Sequence, residues 1–379
     1  MDTGSKVMDD TRQMGGLSGN RRRGIRMLAL GVLTMATMIS LEVVCRAYWS
    51  ISKRVPFFNT SDLWIAFHPE VVQSGVLTAD FSNHDATYDV LLLGGSVLTD
   101  EFGCIGEQLR RQLEASHGKT VRIFNLAASA KTSKDSLLKY LRVKDKPFDL
   151  VLVYDSVNDV RMNNCPPSAF QKDYSHCAWY RQLDMAAEHP ELSATVLPYT
   201  CRYLWVEGLA KLGFYIPRHR PDDRHLGKGA GTATTESLHD NLESLLRISR
   251  ERKQSVILAS FAIHVPPNYS LSSFQNKQLD YGEHRSPIEI WGTPEQVAEC
   301  MAAHDAVIKS LSEQFDHVVF VDQAALMPRG KRYFNDICHL TNEGCERFAR
   351  HIVDALASRD ESVKMSRSTR TPSLMRQSN

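Results

Sequence analysis

The stretch Tyr88-Asp89-Val90-Leu91-Leu92-Leu93-Gly94-Gly95-Ser96-Val97-Leu98 decides how the rest of the chain is read. Val90 to Leu93 is a short, unbroken apolar run that ends on glycines, the form taken by a strand buried on both faces. Such strands belong to parallel sheets, whose ligand crevices lie outside the carboxyl ends of the strands. Gly94 and Gly95 let the backbone turn tightly there and deliver Ser96 to that end. Taken alone, the simpler reading of Ser96 is the N-cap of a following helix. The turn also lacks the second glycine of G-x-S-x-G, so the nucleophile elbow of the α/β-hydrolases is not matched.

Four more runs repeat the pattern: Val121 to Phe124, Leu150 to Tyr154, Val256 to Ser260 and Val318 to Val321. Helical periodicity separates them near Cys104 to Leu113, Ser133 to Val143, Glu236 to Arg252 and Pro294 to Phe315, and follows at Asn342 to Leu356. The alternation predicts a doubly wound α/β domain over 88–358, a flavodoxin-like three-layer sandwich of about five parallel strands. Residues 161–235 break the rhythm with Cys165-Pro166-Pro167 and many His, Trp and Tyr residues, and read as an inserted lid or cap. Residues 50–87 read as a linker, and the Ser, Thr and Arg rich residues 359–379 as a disordered tail.

Ahead of this domain, residues 1–26 are polar and end in Arg21, Arg22, Arg23 and Arg26, a composition that buries no core. Met27 to Val44 then gives eighteen residues with one charge, Glu42, long enough to cross a hydrocarbon core of ~30 Å. The arginines before it predict an uncleaved anchor over 27–46, with a cytoplasmic N-terminus and an extracytoplasmic domain. A buried helix and a cleaved signal peptide are the competing readings, and Arg46 after Cys45 is poor for cleavage. Glu42 and Arg46 stand four residues apart, the spacing of an ion pair.

With 45 basic and 44 acidic residues, net charge +1, the chain has no global field to attract nucleic acid. Phosphate-loop, dinucleotide and H-E-x-x-H motifs are missing, and the eight cysteines show no CxxC, so neither a nucleotide, a metal nor another cofactor is expected. Cys165 and Cys177 are the one close couple in a single loop and the candidate disulfide. Asn59-Thr60-Ser61 and Asn268-Tyr269-Ser270 are glycosylation sequons of use only in a eukaryotic secretory pathway.

Three further segments fall at predicted strand or helix ends. Asn125-Leu126-Ala127-Ala128-Ser129-Ala130 is a run of small residues that lets backbone N–H groups approach a ligand. Ser156-Val157-Asn158-Asp159 offers a carboxamide donor, although an Asn-Asp turn explains it equally. Asp336-Ile337-Cys338-His339-Leu340 sets a carboxylate three residues before an imidazole, the pairing that a serine nucleophile requires of its base. In isolation it reads as a surface pair.

Taken together, and in this order, Gly94-Gly95-Ser96, Asn125 to Ala130, Ser156 to Asp159 and Asp336 to Leu340 resemble the four blocks of the SGNH, or GDSL, hydrolase family. The resemblance implies Ser96 as nucleophile, His339 as general base and then acid, and Asp336 as its orienting partner. It implies the backbone N–H groups of Ser96 and Ala130 and the side chain of Asn158 as oxyanion donors. Gly95 stands where the family has an aspartate, and Ala130 and Ser156 where it has glycines. The implied partner is a small ester, or an acylated glycan or lipid, outside the membrane. Hydrolysis is the first expectation, O-acyl transfer to a glycan the second, and a non-catalytic membrane protein the third. Trp179, Tyr180, Tyr203 and Trp205 of the insertion are candidates for stacking on sugars, or simply core.

Overall fold

The computed structural model describes residues 13–82, 86–212, 226 and 229–369. Their contacts divide into two units, one made of the residues up to Phe67 with Met185–Gly208, the other of His68–Asp184 with the residues from Leu209.

The larger unit holds one parallel sheet of five strands, β1 (Thr87–Gly94), β2 (Thr120–Asn125), β3 (Leu150–Tyr154), β4 (Ser255–Ala259) and β5 (Val318–Val321), in the order β2-β1-β3-β4-β5. All four pairings are parallel, and the register sets Leu92 of β1 between Asn125 of β2 and Leu152 of β3. Leu91, Leu92 and Leu93 are wholly buried, as are Leu150, Val151 and Leu152. Burial on both faces is why these strands read as continuous apolar runs rather than alternating ones.

Helices of the chain, in order, are α1 (Gln13–Lys53), α2 (Pro69–Gln73), α3 (Ile105–His117), α4 (Ser133–Val143), α5 (Val157–Val160) and α6 (Ala178–Glu188). There follow α7 (Leu197–Lys211), α8 (Thr234–Glu251), α9 (Leu271–Gln275), α10 (Pro294–Gln314), α11 (Gln323–Leu326) and α12 (Asn342–Thr369). α3 packs with α12, and α8 packs with both α4 and α10, so two helical layers enclose the sheet. The doubly wound α/β architecture is the one the strand pattern predicts. Its strand order reverses between β1 and β3, and the crevice of such a sheet opens outside the carboxyl ends of those two strands.

The smaller unit is built on α1, whose stretch Arg23–Lys53 is long and apolar enough to cross a membrane. Its apolar side chains are bare: Leu28 is 70% and Leu33 64% exposed. Arg46 Nε lies 2.6 Å from Glu42 Oε1, the pair their spacing predicts. Thr60, Leu63, Trp64 and Ile65 are buried in a short 3₁₀ segment, Thr60–Ala66.

Several expectations need correction. The segment 50–87 is no solvated linker: Leu63 and Phe67 are buried in the smaller unit, Val71 and Val76 in the larger. In the larger unit His68 Nε2 meets Asp135 Oδ1 at 2.9 Å, and Lys139 Nζ meets Glu70 Oε1 at 2.9 Å. Such buried polar pairing leaves no periodic signature in the sequence. Helix α1 begins at Gln13, inside the expected tail, while residues 1–12 lie outside the described residues. α12 runs to Thr369 because Arg359 to Thr369 contains no glycine or proline to stop it, and residues 370–379 lie outside the described residues. The insertion is not one lid, since Arg161–Asp184 belongs to the larger unit and Met185–Gly208 to the smaller. Residues 213–225 of it are also outside the described residues. Cys165 and Cys177 are buried free thiols, like all eight cysteines unpaired, and their sulfurs face Met162 instead.

Candidate active site

β1 ends at Gly94, where the backbone of β3 comes so close that an added Cβ would sit 2.5 Å from the Tyr154 carbonyl oxygen. Only glycine fits this approach. The chain then turns into a single 3₁₀ turn, Ser96–Leu98, whose first N–H groups have no partner within the turn. Thr99 closes it, its N–H and its Oγ1 donating to the Ser96 carbonyl at 3.0 and 2.7 Å.

Ser96 Oγ lies 2.8 Å from His339 Nε2, across 243 residues of sequence. On the other side of the ring, His339 Nδ1 lies 2.8 Å from Asp336 Oδ2 and 3.0 Å from Oδ1. Asp336 is fully buried and is itself held in place: Oδ1 accepts the N–H groups of Cys338 and His339, and Oδ2 that of Ser286. Because Nδ1–H donates to the carboxylate, Nε2 is left as the acceptor facing the serine hydroxyl. Phe102 stacks on the imidazole at 4.3 Å and 21°, fixing the ring plane. Ser96 is 8% exposed and His339 2%, so the relay lies in a nearly closed site of low dielectric.

Asn158 stands at the start of α5, just past β3. Its Nδ2 donates to the Lys131 carbonyl at 2.9 Å and its Oδ1 accepts from Trp291 Nε1 at 3.1 Å. The same Nδ2 is pressed against the turn, since a Cβ on Gly95 would meet it at 2.5 Å. One amide hydrogen therefore remains beside Gly95 and Ser96. The loop after β2 closes on the same turn, with Leu126 N–H donating to Leu92 O and Ala128 N–H to Gly94 O. Ala130 adopts φ +64, a left-handed conformation that favours glycine. Ser156 has φ 164, which is extended backbone open to any residue, and its hydroxyl meets His304 Nδ1 at 2.9 Å. Burial pushes His304 down to about 4, so that histidine is neutral.

Behind the loop lies a buried polar layer. Thr132 caps α4 in a capping box with Asp135, whose other contacts are His68, Tyr180 and the Trp179 indole. Lys131 Nζ sits 3.6 Å above the Trp179 ring and 3.8 Å from Asp135 Oδ1. Burial brings Lys131 down to about 8 against the pull of Asp135. Asp159 accepts from Ser133 Oγ and from Tyr174, tying the end of β3 to the start of α4. Burial raises Asp159 to about 6 and, together with the charge of Asp159, raises Asp155 to about 7. Ser136 and Lys139 draw Asp155 the other way, in part only.

Sequence reasoning missed Trp291, Phe102, Lys131 and Asp135. No local signal marks the first two, whereas Thr132-Ser133-Lys134-Asp135 carries a capping-box spacing that was there to be read. Of the four aromatics considered for sugars, Trp179 and Tyr180 are committed to this polar layer, Tyr203 packs on Trp49 in the smaller unit, and Trp205 is 68% exposed. Among the described residues, Asp336, Cys338 and His339 bring ligand atoms within 4.8 Å of one another. Burial and Asp336 hold the Cys338 thiol well above its usual range, and the other two groups are spent on each other, a poor set for a metal.

No protein-family model matches the chain, and no curated protein matches it. Among solved structures, it is similar to a GDSL-like lipase from Bacteroides thetaiotaomicron VPI-5482, 16% identical, covering 76% of this chain and 95% of that one, TM-score 0.40. An acetyl xylan esterase is 14% identical, covering 70% of this chain and 98% of its own, TM-score 0.39. An acetylxylan esterase from Geobacillus stearothermophilus is 15% identical, covering 71% and 93%, TM-score 0.38.

Proposed function

We propose that the chain is a membrane-anchored serine esterase of the SGNH type, with Ser96, His339 and Asp336 as its relay. The observation that carries this reading is the continuous line from Ser96 Oγ through both nitrogens of His339 to Asp336, each step at 2.8 Å in a nearly closed site. A surface pair would not be buried, and a capping serine would not hold an imidazole.

Ser96 Oγ attacks the ester carbonyl while its proton passes to His339 Nε2. The oxyanion forms against the N–H groups of Ser96 and Ala130 and the free amide hydrogen of Asn158. Collapse breaks the bond to the leaving oxygen, and His339 returns the proton to it, giving an alcohol and an acyl-serine. Water then repeats the sequence, with His339 as base, and releases the acid and Ser96. The confined space around Ser96 favours a short acyl group such as acetyl. The bare apolar helix α1 supports an anchor over 27–46, and the arginines before it support an extracytoplasmic catalytic unit, to which acylated glycans or lipids are accessible.

Full-length protein in detergent tests the reading with a fluorophosphonate probe. Labelling and hydrolysis of a small acetate ester are expected in the wild type and in neither case in Ser96→Ala. A folded wild-type protein that takes no label overturns it.

A further inference from the structure

Resting on the membrane-anchor reading, we propose that α7 is an interfacial helix, lying in the lipid surface beside the C-terminal end of the α1 span with Leu204 and Trp205 among the acyl chains. The part of α7 in the smaller unit has two apolar faces. One is spent on α1: Tyr199 and Val206 are buried, Tyr203 packs on Trp49 at 5.1 Å, and Trp49 Nε1 donates to Thr200 Oγ1 at 2.9 Å. The other carries Leu197, Cys201, Leu204, Trp205 and Gly208, a stripe at i, i+4, i+7, i+8 and i+11. On that stripe Leu204 is 56% and Trp205 68% exposed. A helix apolar on both sides requires apolar surroundings on both, and the described residues supply only one.

The level of α7 is fixed by the one charge in the apolar run. Glu42 accepts from Thr195 Oγ1, Val196 N and Leu197 N at 2.6, 3.0 and 3.0 Å, so it satisfies the N–H groups that open α7. Those donors could find no partner in hydrocarbon, and a carboxylate at a helix N-terminus is favourable. Glu42 is therefore a docking group, and it pins α7 to the end of the span, where Trp and Tyr side chains partition best. The stripe also starts on the span: Leu197 joins Met35, Met38 and Ile39 along one concave apolar surface. A bilayer that surrounds α1 therefore reaches the stripe at Leu197.

Full-length protein reconstituted in phosphatidylcholine vesicles with brominated or ordinary acyl chains separates the outcomes through tryptophan fluorescence. Trp205→Phe should remove at least half of the bromine-quenched signal, and Trp291→Phe should leave it unchanged. An unchanged quenched signal in Trp205→Phe, with the chain still resisting alkaline carbonate extraction, overturns the role of α7 and spares the anchor. A chain that carbonate strips from the vesicles overturns both. Absence of quenching together with a cross-linked dimer that Leu204→Glu/Trp205→Glu dissociates overturns the proposal in favour of a second copy on the stripe.

Discussion

Trp291 Nε1 donates to Asn158 Oδ1 at 3.1 Å, and an indole N–H can only donate, so this bond decides which end of the Asn158 amide faces the glycine turn. With Oδ1 committed to Trp291, Nδ2 is directed at the Lys131 carbonyl and at the Gly95–Ser96 backbone. Trp291 thus acts on the proposed oxyanion donor without touching the Ser96–His339 pair. Trp291→Phe keeps most of the packing and releases the amide to rotate. The expected result is a fall in kcat of about tenfold with KM for a small acetate ester within about twofold, because the loss is felt chiefly in the transition state. Steady-state kinetics on the two proteins check it.

Gly95 is constrained by the same amide. A side chain there would begin 2.5 Å from Asn158 Nδ2, so an aspartate must push the amide off the Lys131 carbonyl and the Trp291 indole that hold it. Gly95→Asp should lower kcat by about 10²-fold, the cost of one displaced oxyanion donor. Fluorophosphonate labelling should slow in parallel. A Gly95→Asp enzyme as active as the wild type would show that Asn158 can move without consequence.

These two residues mark what the sequence could and could not disclose. The sheet was legible because burial on both faces makes Val90 to Leu93 and Leu150 to Tyr154 apolar throughout, and parallel crossovers require the helices between them. Asp336 and His339 were legible because three residues of one turn bring them together. Trp291 and Phe102 were not, since each meets its partner through the fold and an isolated aromatic most often reads as core. The segment 50–87 failed differently: Leu63, Trp64, Ile65 and Phe67 bury themselves in a 3₁₀ turn, which has no periodicity to detect over so few residues. His68 and Glu70, buried against Asp135 and Lys139, resemble ordinary surface charge until their partners are known.

Ala130 holds φ +64 with a Cβ, a conformation that costs an ordinary residue about 1 kcal/mol more than glycine. Ala130→Gly removes that strain and gives back part of the gain as unfolded-chain entropy. The variant should be more stable by about 0.5 kcal/mol, with esterase activity retained, because the proposed donor is the main-chain N–H. Thermal unfolding in detergent and a parallel ester assay measure the two halves of this expectation.

Asp155 supplies a test of the polar layer itself. Burial and the charge of Asp159 raise it from 3.8 to about 7, and the pull of Ser136 and Lys139 the other way offsets only part of that cost. Between those two values the folded protein keeps the proton that the unfolded chain has lost. Stability from this group is thus complete below about pH 4 and disappears as pH rises towards 7, at no more than about 1.4 kcal/mol per pH unit. Asp155→Asn is neutral throughout, so its thermal stability should decline less steeply than that of the wild type from pH 4.5 to 7. A residual slope up to about pH 6 should remain from Asp159, which is raised by the same burial. Identical pH profiles for the two proteins would show that Asp155 is already ionised in the folded state.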